Sequence, residues 1–350
     1  MNWYLKIRSF FKKKFPNNKF LQRYFGLIAF ILIGIITLFI GNHVNEFWQR
    51  LIILSAIYVV MAVGYNFSNG VAGQFSLDPN AYAAIGAYIA ALLTMSPETK
   101  ENVFILEPVM KPFDKIQLPF LLATIIGGIA AAFSAFLIGI PSFRVRGDYL
   151  AIITFGFGEI INVITNNWIS LTNGALGLKG IPEYTTLAWA IGWAIFSVFF
   201  LWHLTNSQVG RILKSIREDE VAAEATGINV FRWKLFAFTL SGFFIGVGGA
   251  LFAHYLTTIS PQVFTFFLTF NLLIIILIGG LGSIVGSAIA AVLFTFAFEV
   301  LRVLEEGIHI GSLEIPPIPG LRMIIFAVLL IVLMIFRPQG IFGDKEVSIK

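Results

Sequence analysis

The chain has 350 residues, 57% hydrophobic and 12% charged, with a mean hydropathy of +0.85. Soluble domains carry about a quarter charged residues, so too few polar side chains exist to cover a water-soluble globule, and a disordered or fibrous chain is excluded as well. The net charge is +5 (24 Lys+Arg against 19 Asp+Glu) and cysteine is absent, which leaves a polytopic membrane protein without disulfides, thiolate metal sites or a cysteine nucleophile.

Residues 1–23 form a basic segment carrying Lys6, Arg8, Lys12, Lys13, Lys14, Lys19 and Arg23. Trp3, Ile7 and Phe10 recur among them at helical spacing, which predicts a short amphipathic helix on the inner leaflet. The first apolar run ends in Leu38-Phe-Ile-Gly-Asn-His43, with no small-residue cleavage site, and reads as an uncleaved anchor.

Ten apolar runs follow, at 24–41, 51–68, 80–95, 118–140, 149–165, 186–204, 233–256, 264–281, 283–304 and 321–336. None alternates with strand period, so they predict an all-α transmembrane bundle over 24–337, with 338–350 as a tail. The runs 80–95 and 149–165 are short for a hydrocarbon core of about 30 Å. With ten spans and a cytoplasmic N-terminus, the basic segment, the connection holding Arg144 and Arg146, the connection at 205–232 and its flank to 234, and the tail share one side. That side then holds 17 of the 24 cations, as the positive-inside rule requires, and both termini are expected in the cytoplasm. The other long connections, 96–117, 166–185 and 305–320, fall outside, where they offer a lid or a docking surface.

Small residues recur every fourth position in several runs: Ala83, Ala87, Ala91; Gly127, Ala131, Ala135, Gly139; Gly242, Gly246, Ala250; Gly282, Gly286, Ala290. Lipid supplies no hydrophobic drive between helices, so close backbone approach at such faces holds a bundle together. Ionisable residues inside spans are few. Glu299 and Arg302 are spaced to pair on one helix face, and His254 reads as an interfacial residue. Glu159, beside Gly156 and Gly158 and three residues from Asn162, suits either a helix–helix hydrogen bond or the wall of a translocation route.

So sparse a set of buried charges argues against an ion-coupled carrier, and no span carries the serial arginines of a voltage sensor. Enzyme readings lack support too. His43, His203, His254 and His309 stand apart from carboxylate pairs, and no HExxH, Gly-x-Ser-x-Gly or Walker A sequence occurs. No catalytic residue, metal site or bound cofactor is expected, and ATP dependence would have to come from a partner.

The connection from Gly210 to Asn229 carries dense charge of both signs. Leu213, Ile216, Val221, Ala225 and Ile228 give it an apolar face, and Gly227 is suited to end a helix. A helix, a turn and a second helix fit. The segment reads either as a solvated connector or as an element that inserts into a groove on a cytoplasmic partner.

Ala222-Ala-Glu-Ala-Thr-Gly227 resembles the Ala-Ala-x-x-x-Gly core of the EAA loop of ABC importer permeases, with Val221 where that loop has its leading Glu and Glu220 one residue earlier. Arg146-Gly-Asp-Tyr-Leu-Ala-Ile-Ile-Thr-Phe-Gly-Phe-Gly-Glu-Ile-Ile and Leu171-Thr-Asn-Gly-Ala-Leu-Gly-Leu-Lys-Gly-Ile-Pro182 are similar to hallmark blocks of branched-chain amino-acid ABC transporter permeases of the LivM type. Gly64-Tyr-Asn, Ala72-Gly-Gln-Phe-Ser-Leu77, Gly279-Gly-Leu-Gly-Ser283 and Arg337-Pro-Gln-Gly-Ile-Phe-Gly343 match further blocks in the family's order. The resemblance runs from about residue 50 to 343. Asp78-Pro-Asn80 departs from the Gly-His or Gly-Tyr usual there.

The resemblance implies an importer subunit of the bacterial cytoplasmic membrane with a fold like that of the vitamin B12 importer permease. A homologous second permease, two ABC ATPase subunits that bind ATP and Mg, and an extracytoplasmic binding protein would complete it. Branched-chain amino acids are the implied substrates, with urea, short amides or other amino acids as alternatives. Arg217, Glu218, Asp219, Glu224 and Gly227 would then belong to the helix that docks on the ATPase. For the path, Asn66, Gln74, Ser76, Thr154, Glu159 and Asn162 are the polar groups of glycine-broken spans, where freed backbone can line a cavity. Rival readings are a stand-alone carrier or channel and, more remotely, a membrane enzyme; nucleic acid is not an expected partner.

Overall fold

Each of the ten apolar runs is helical. The computed structural model describes residues 19–41, 44–145, 149–305, 308–310, 313–315, 320–336 and 340. In chain order the helices are α1 Lys19–Gly41, α2 Glu46–Asn66, α3 Pro79–Thr94, α4 Pro97–Val103, α5 Phe120–Ser142, α6 Tyr149–Asn167 and α7 Leu187–Thr205. The short α8 Gln208–Glu218 and α9 Glu220–Ala225 follow, and then α10 Val230–Leu256, α11 Phe266–Gly279, α12 Ile284–Glu305 and α13 Leu321–Phe336. Among the described residues there are also single helical turns at Ile169–Thr172, Gly174–Leu176 and Pro261–Phe264 and two small antiparallel ladders, β1 Leu178–Lys179 with β2 Thr258–Ile259 and β3 Ile308–Ile310 with β4 Leu313–Ile315. Residues 3–10, His43, Arg146, Arg337 and the tail apart from Gly340 lie outside the described residues.

Among the described residues, seven segments are long and apolar enough to cross a membrane: Glu46–Val71, Phe120–Ser142, Tyr149–Asn167, Leu187–Thr205, Val230–Leu256, Pro261–Gly279 and Ile284–Arg302. The run at 149–165, short in the sequence, is among them as the 19-residue α6. The other short run, α3, has 16 residues, of which only Ile85 and Ile89 are not fully buried. Protein surrounds it on all sides, so its length need not match the bilayer.

The centre of the bundle is α10, which packs on α5, α3 and α2, while α12 and α7 flank α2 and α1 lies on α7. The fourfold small-residue pattern explains this centre. A methyl group on Gly86 would meet the Gly246 carbonyl, one on Gly249 the Ala83 carbonyl, and one on Gly246 the Ala131 side chain. Backbones this close gain dispersion contacts that no lipid-facing helix can match. Gly279 and Gly286 make the same kind of seam between α11 and α12.

Polar residues at the helix starts fix the shorter elements. Ser96 accepts from the Thr99 N–H at 3.2 Å to cap α4. Lys100 of α4 is buried and donates to the carbonyls of Phe113 at 2.9 Å and Ile116 at 2.6 Å, which folds the 104–118 connection back onto the helix. Burial lowers the pKa of this ammonium, and Asp114 partly offsets the shift.

Two sequence expectations change here. His254 is not interfacial: it is fully buried, with Nε2 2.7 Å from Thr94 Oγ1 and Nδ1 2.7 Å from the Ala250 carbonyl, between the rings of Phe120 and Tyr184. Four elements converge on it, which a position near a helix end does not reveal. The apolar face expected over Leu213–Ile228 is also broken. Leu213, Ile216 and Ala223 are buried, while Val221 is 72% exposed and Ala225 is exposed. Asp219, at φ −157° and ψ 109°, separates α8 from α9 and resets the helical phase. The expected Glu299–Arg302 pair is present at 2.8 Å.

Candidate functional site

The charged connection folds as two helices joined at one extended residue. Ser207 caps α8 by accepting from the Val209 N–H. Asp219 ends α8 and starts α9, its Oδ1 accepting from the N–H groups of Val221 at 2.9 Å and Ala222 at 3.0 Å. Gly227, at φ +85°, closes α9: its N–H bonds to Glu224 O at 2.9 Å and the Ile228 N–H bonds to Ala223 O at 3.2 Å. These are the two bonds of a Schellman stop, which needs a left-handed residue at this position. Nothing lies within 4 Å of a Cβ built on Gly227, so glycine is there for backbone conformation and not for space. Ile216, Ala223 and Val230 form a small apolar core under the hairpin, with Ile212, Ile228 and Trp233 around it.

Arg217 roots this hairpin in the bundle. Its guanidinium donates through Nη1 to the Gly70 carbonyl at 2.9 Å and through Nη2 to Glu218 Oε1 at 2.8 Å. Gly70 belongs to a π-helical turn, Phe67–Val71, that extends α2, a geometry that recurs at functional sites. The socket is glycine-lined. A Cβ on Gly73 would lie 2.5 Å from Arg217 Cγ, and one on Gly282 would lie 2.9 Å from Nη1; both residues have positive φ, +70° and +90°.

Asn66 fastens the opposite side of the same socket. Its Nδ2 lies 3.1 Å from Gly280 O, 3.0 Å from Ser283 O and 2.5 Å from Ser287 Oγ, and its Oδ1 accepts from the Gly282 N–H at 3.0 Å. One buried amide thus ties α2 to the α11–α12 turn, and that turn to the seat of Arg217. Two residue groups that the sequence keeps more than 140 positions apart meet at Gly70 and Gly282.

The other path candidates stack above this node. The Gln74 amide donates to Lys234 O at 3.0 Å, while its Oε1 is buried without a partner. Ser76 is held by Asn69, whose Oδ1 accepts from the Ser76 N–H at 2.9 Å. Thr154 accepts from the Leu77 N–H at 2.9 Å. A cleft of about 620 Å³ opens beside them, and Gln74 and Glu224 both line it. Arg144, Glu220, Lys234, Phe75 and Phe231 also line it, and Lys234 pairs with Glu220 across its wall.

Glu159 and Asn162 stand apart from this cluster, farther along α6. Asn162 turns inward, its Nδ2 3.2 Å from Pro261 O and 3.5 Å from Phe264 O. Glu159 is exposed, on the side of α6 away from the bundle. Two residues without a place in the sequence-derived set complete the polar interior. Asp78 is buried, with Oδ2 accepting from Tyr82 Oη at 2.5 Å and Oδ1 unpartnered. Asn80 accepts from Thr269 Oγ1 at 3.1 Å and donates to Phe264 O at 3.3 Å. The departure at Asp78-Pro-Asn80 was the available signal, since polar groups inside a span have to find protein partners.

An apolar helical bundle with a charged helical hairpin rooted in it is the frame of a multi-pass membrane permease. Residues 48–334 match the family described as branched-chain amino acid transport system / permease component, and the chain belongs to that family. It is 31% identical to the high-affinity branched-chain amino acid transport system permease protein LivM of Escherichia coli K12, over 85% of this chain and 70% of that protein. It is 25% identical to the corresponding permease protein LivH of Salmonella typhimurium, over 84% of this chain and 94% of that protein. No solved structure matches the chain.

Proposed function

We propose that this chain is one of two permease subunits of an ATP-driven importer of branched-chain amino acids in the bacterial cytoplasmic membrane. In this reading it has ten spans and both termini inside. It pairs with a homologous permease, stands on two ATPase subunits that bind ATP and Mg, and receives solute from an extracytoplasmic binding protein. The observation that carries the reading is the rooted hairpin. A docking element transmits force only if it is stiff and firmly anchored. The α8–α9 pair is stiff through its Asp219 and Gly227 caps and anchored through Arg217 in the glycine socket.

The mechanism follows from these connections. Closure of the ATPases displaces α9, and the small core beneath the hairpin moves α8 with it. Arg217 passes the displacement to the Gly70 carbonyl, a charge-assisted bond stronger than a neutral one. From there the π-turn and Asn66 carry it to α2 and to the α11–α12 turn together. Four path candidates, Asn66, Gln74, Ser76 and Thr154, lie on or beside the segment that would move. Selectivity rests with the binding protein, so no tight pocket is required within the chain.

The test is reconstitution of the complex purified through this chain. ATP should drive leucine uptake into vesicles only when the binding protein is present. Uptake of urea in place of leucine would revise the substrate, and gradient-driven uptake by this chain alone would refute the reading.

A further inference from the structure

The cleft beside Gln74 is walled by two parts of the chain that the proposed stroke moves against each other. On one side stand Glu220 and Glu224 of α9. On the other are Gln74 and Phe75, the α5–α6 connection at Arg144 and Val145, and the start of α10 with Phe231 and Lys234. Its volume, about 620 Å³, falls within the roughly 300–1,000 Å³ of small-molecule sites.

Three features of this wall point to a ligand. Gln74 is 1% exposed, and its Oε1 is buried without a donor while its Nε2 is spent on the Lys234 carbonyl. A buried acceptor left unpaired costs free energy that an incoming N–H group recovers. The charges are balanced and half used. Lys234 and Glu220 pair with each other, whereas Arg144 and Glu224 have no ion-pair or side-chain hydrogen-bond partner among the described residues. The same wall carries exposed apolar surface, with Phe75 51%, Val145 39% and Phe231 37% exposed.

These features select among ligand classes. A simple anion would use Arg144 alone, and a nucleotide would set its phosphates against Glu220 and Glu224. A zwitterion with an apolar side chain uses everything on offer. Its carboxylate fits the Arg144 guanidinium, its ammonium group fits Glu224 and the Gln74 Oε1, and its side chain fits Phe75 and Phe231.

We propose that this cleft binds a free aliphatic amino acid from the cytoplasmic side, and that the bound molecule ties α9 to the bundle and so slows the ATPases. The inference rests on the importer reading for the orientation of the cleft and for the ATPases themselves. The ligand favours the resting position of the hairpin because only there do both walls reach it, and a ligand shifts an equilibrium by its difference in affinity for the two states. The product of import thus restrains the importer. Arg144 and Glu224 are exposed to solvent, so binding belongs in the millimolar range and acts only once product has accumulated.

Equilibrium dialysis of radiolabelled leucine against the intact permease–ATPase complex, without the binding protein, measures the site. Saturable binding at millimolar leucine is expected, with one molecule per copy of this chain. Leucinol, which lacks the carboxylate, and isocaproate, which lacks the ammonium group, should each compete at least tenfold less well than leucine. Arg144→Gln should weaken binding at least tenfold, and so should Ala151→Trp, which fills the cleft from the start of α6. In proteoliposomes with the ATPases facing the bath, and binding protein and leucine inside, leucine added to the bath should lower ATP hydrolysis at least threefold. Arg144→Gln should match the wild-type rate without added leucine and lose most of that inhibition. Absence of saturable binding, binding that neither variant weakens, or equal competition by all three molecules would overturn the site. Binding without slowed hydrolysis would overturn the restraint. ATP-driven leucine transport from the lumen is scored on the same vesicles, so failure of the importer reading registers separately from failure of the cleft.

Discussion

Glycine lines two regions of this molecule to different ends. In the α3–α5–α10 seam, Gly86, Gly246 and Gly249 meet backbone carbonyls and alanine methyls, and at these positions the contact is made without a polar side chain. In the socket at Gly73 and Gly282, glycines make room for a charged side chain that enters from outside the bundle and donates to the Gly70 carbonyl. The first arrangement has nothing to give when displaced. The second holds its occupant by one hydrogen bond and by shape, so it can follow a moving hairpin.

Substitutions separate the two regions. Gly246→Leu should have the largest effect, since its side chain would be driven into Ala131 and the Gly127 backbone. Overpacking of this kind costs about 1–3 kcal/mol or more, and loss of monodisperse protein in detergent size-exclusion chromatography is the expected outcome. Arg217→Ala should leave that profile intact and reduce leucine imported per ATP hydrolysed at least tenfold. Gly73→Leu, which fills the socket, should copy it, and Arg217→Lys should fall between them and wild type because it keeps the charge with a different donor geometry.

Gly227→Val should be milder in stability and similar in kind. A non-glycine residue at φ +85° costs about 1–2 kcal/mol, and the strain falls on the α9 stop alone, so insertion should be normal while ATP hydrolysis uncouples from uptake. Gly227→Asn, which tolerates the left-handed conformation, should recover most of the coupling. The smallest effect is expected for Lys100→Met. It removes the donor to Phe113 and Ile116 without leaving a buried charge, and faster proteolysis within 104–118 at unchanged uptake would show it.

The same contrast shows how much the sequence disclosed. Fourfold spacing of small residues is a one-dimensional signal, and it led directly to the seam. The charged hairpin was legible for a similar reason, because Asp219 and Gly227 act within three or four residues of themselves. The socket was not legible, since Arg217 reaches back 147 positions to Gly70 and Asn66 reaches forward 214 to Gly280. His254 was misplaced for the same reason, its partner Thr94 lying 160 positions away. Local pattern fixes the elements here, and the polar interior belongs to contacts that no local pattern encodes.

The central claim is that force enters the bundle through Arg217. The direct measurement is the number of leucine molecules imported per ATP hydrolysed by the reconstituted complex, compared between wild type and Arg217→Ala. The claim predicts that hydrolysis persists while that ratio falls at least tenfold. An unchanged ratio, with the variant fully assembled, would contradict it.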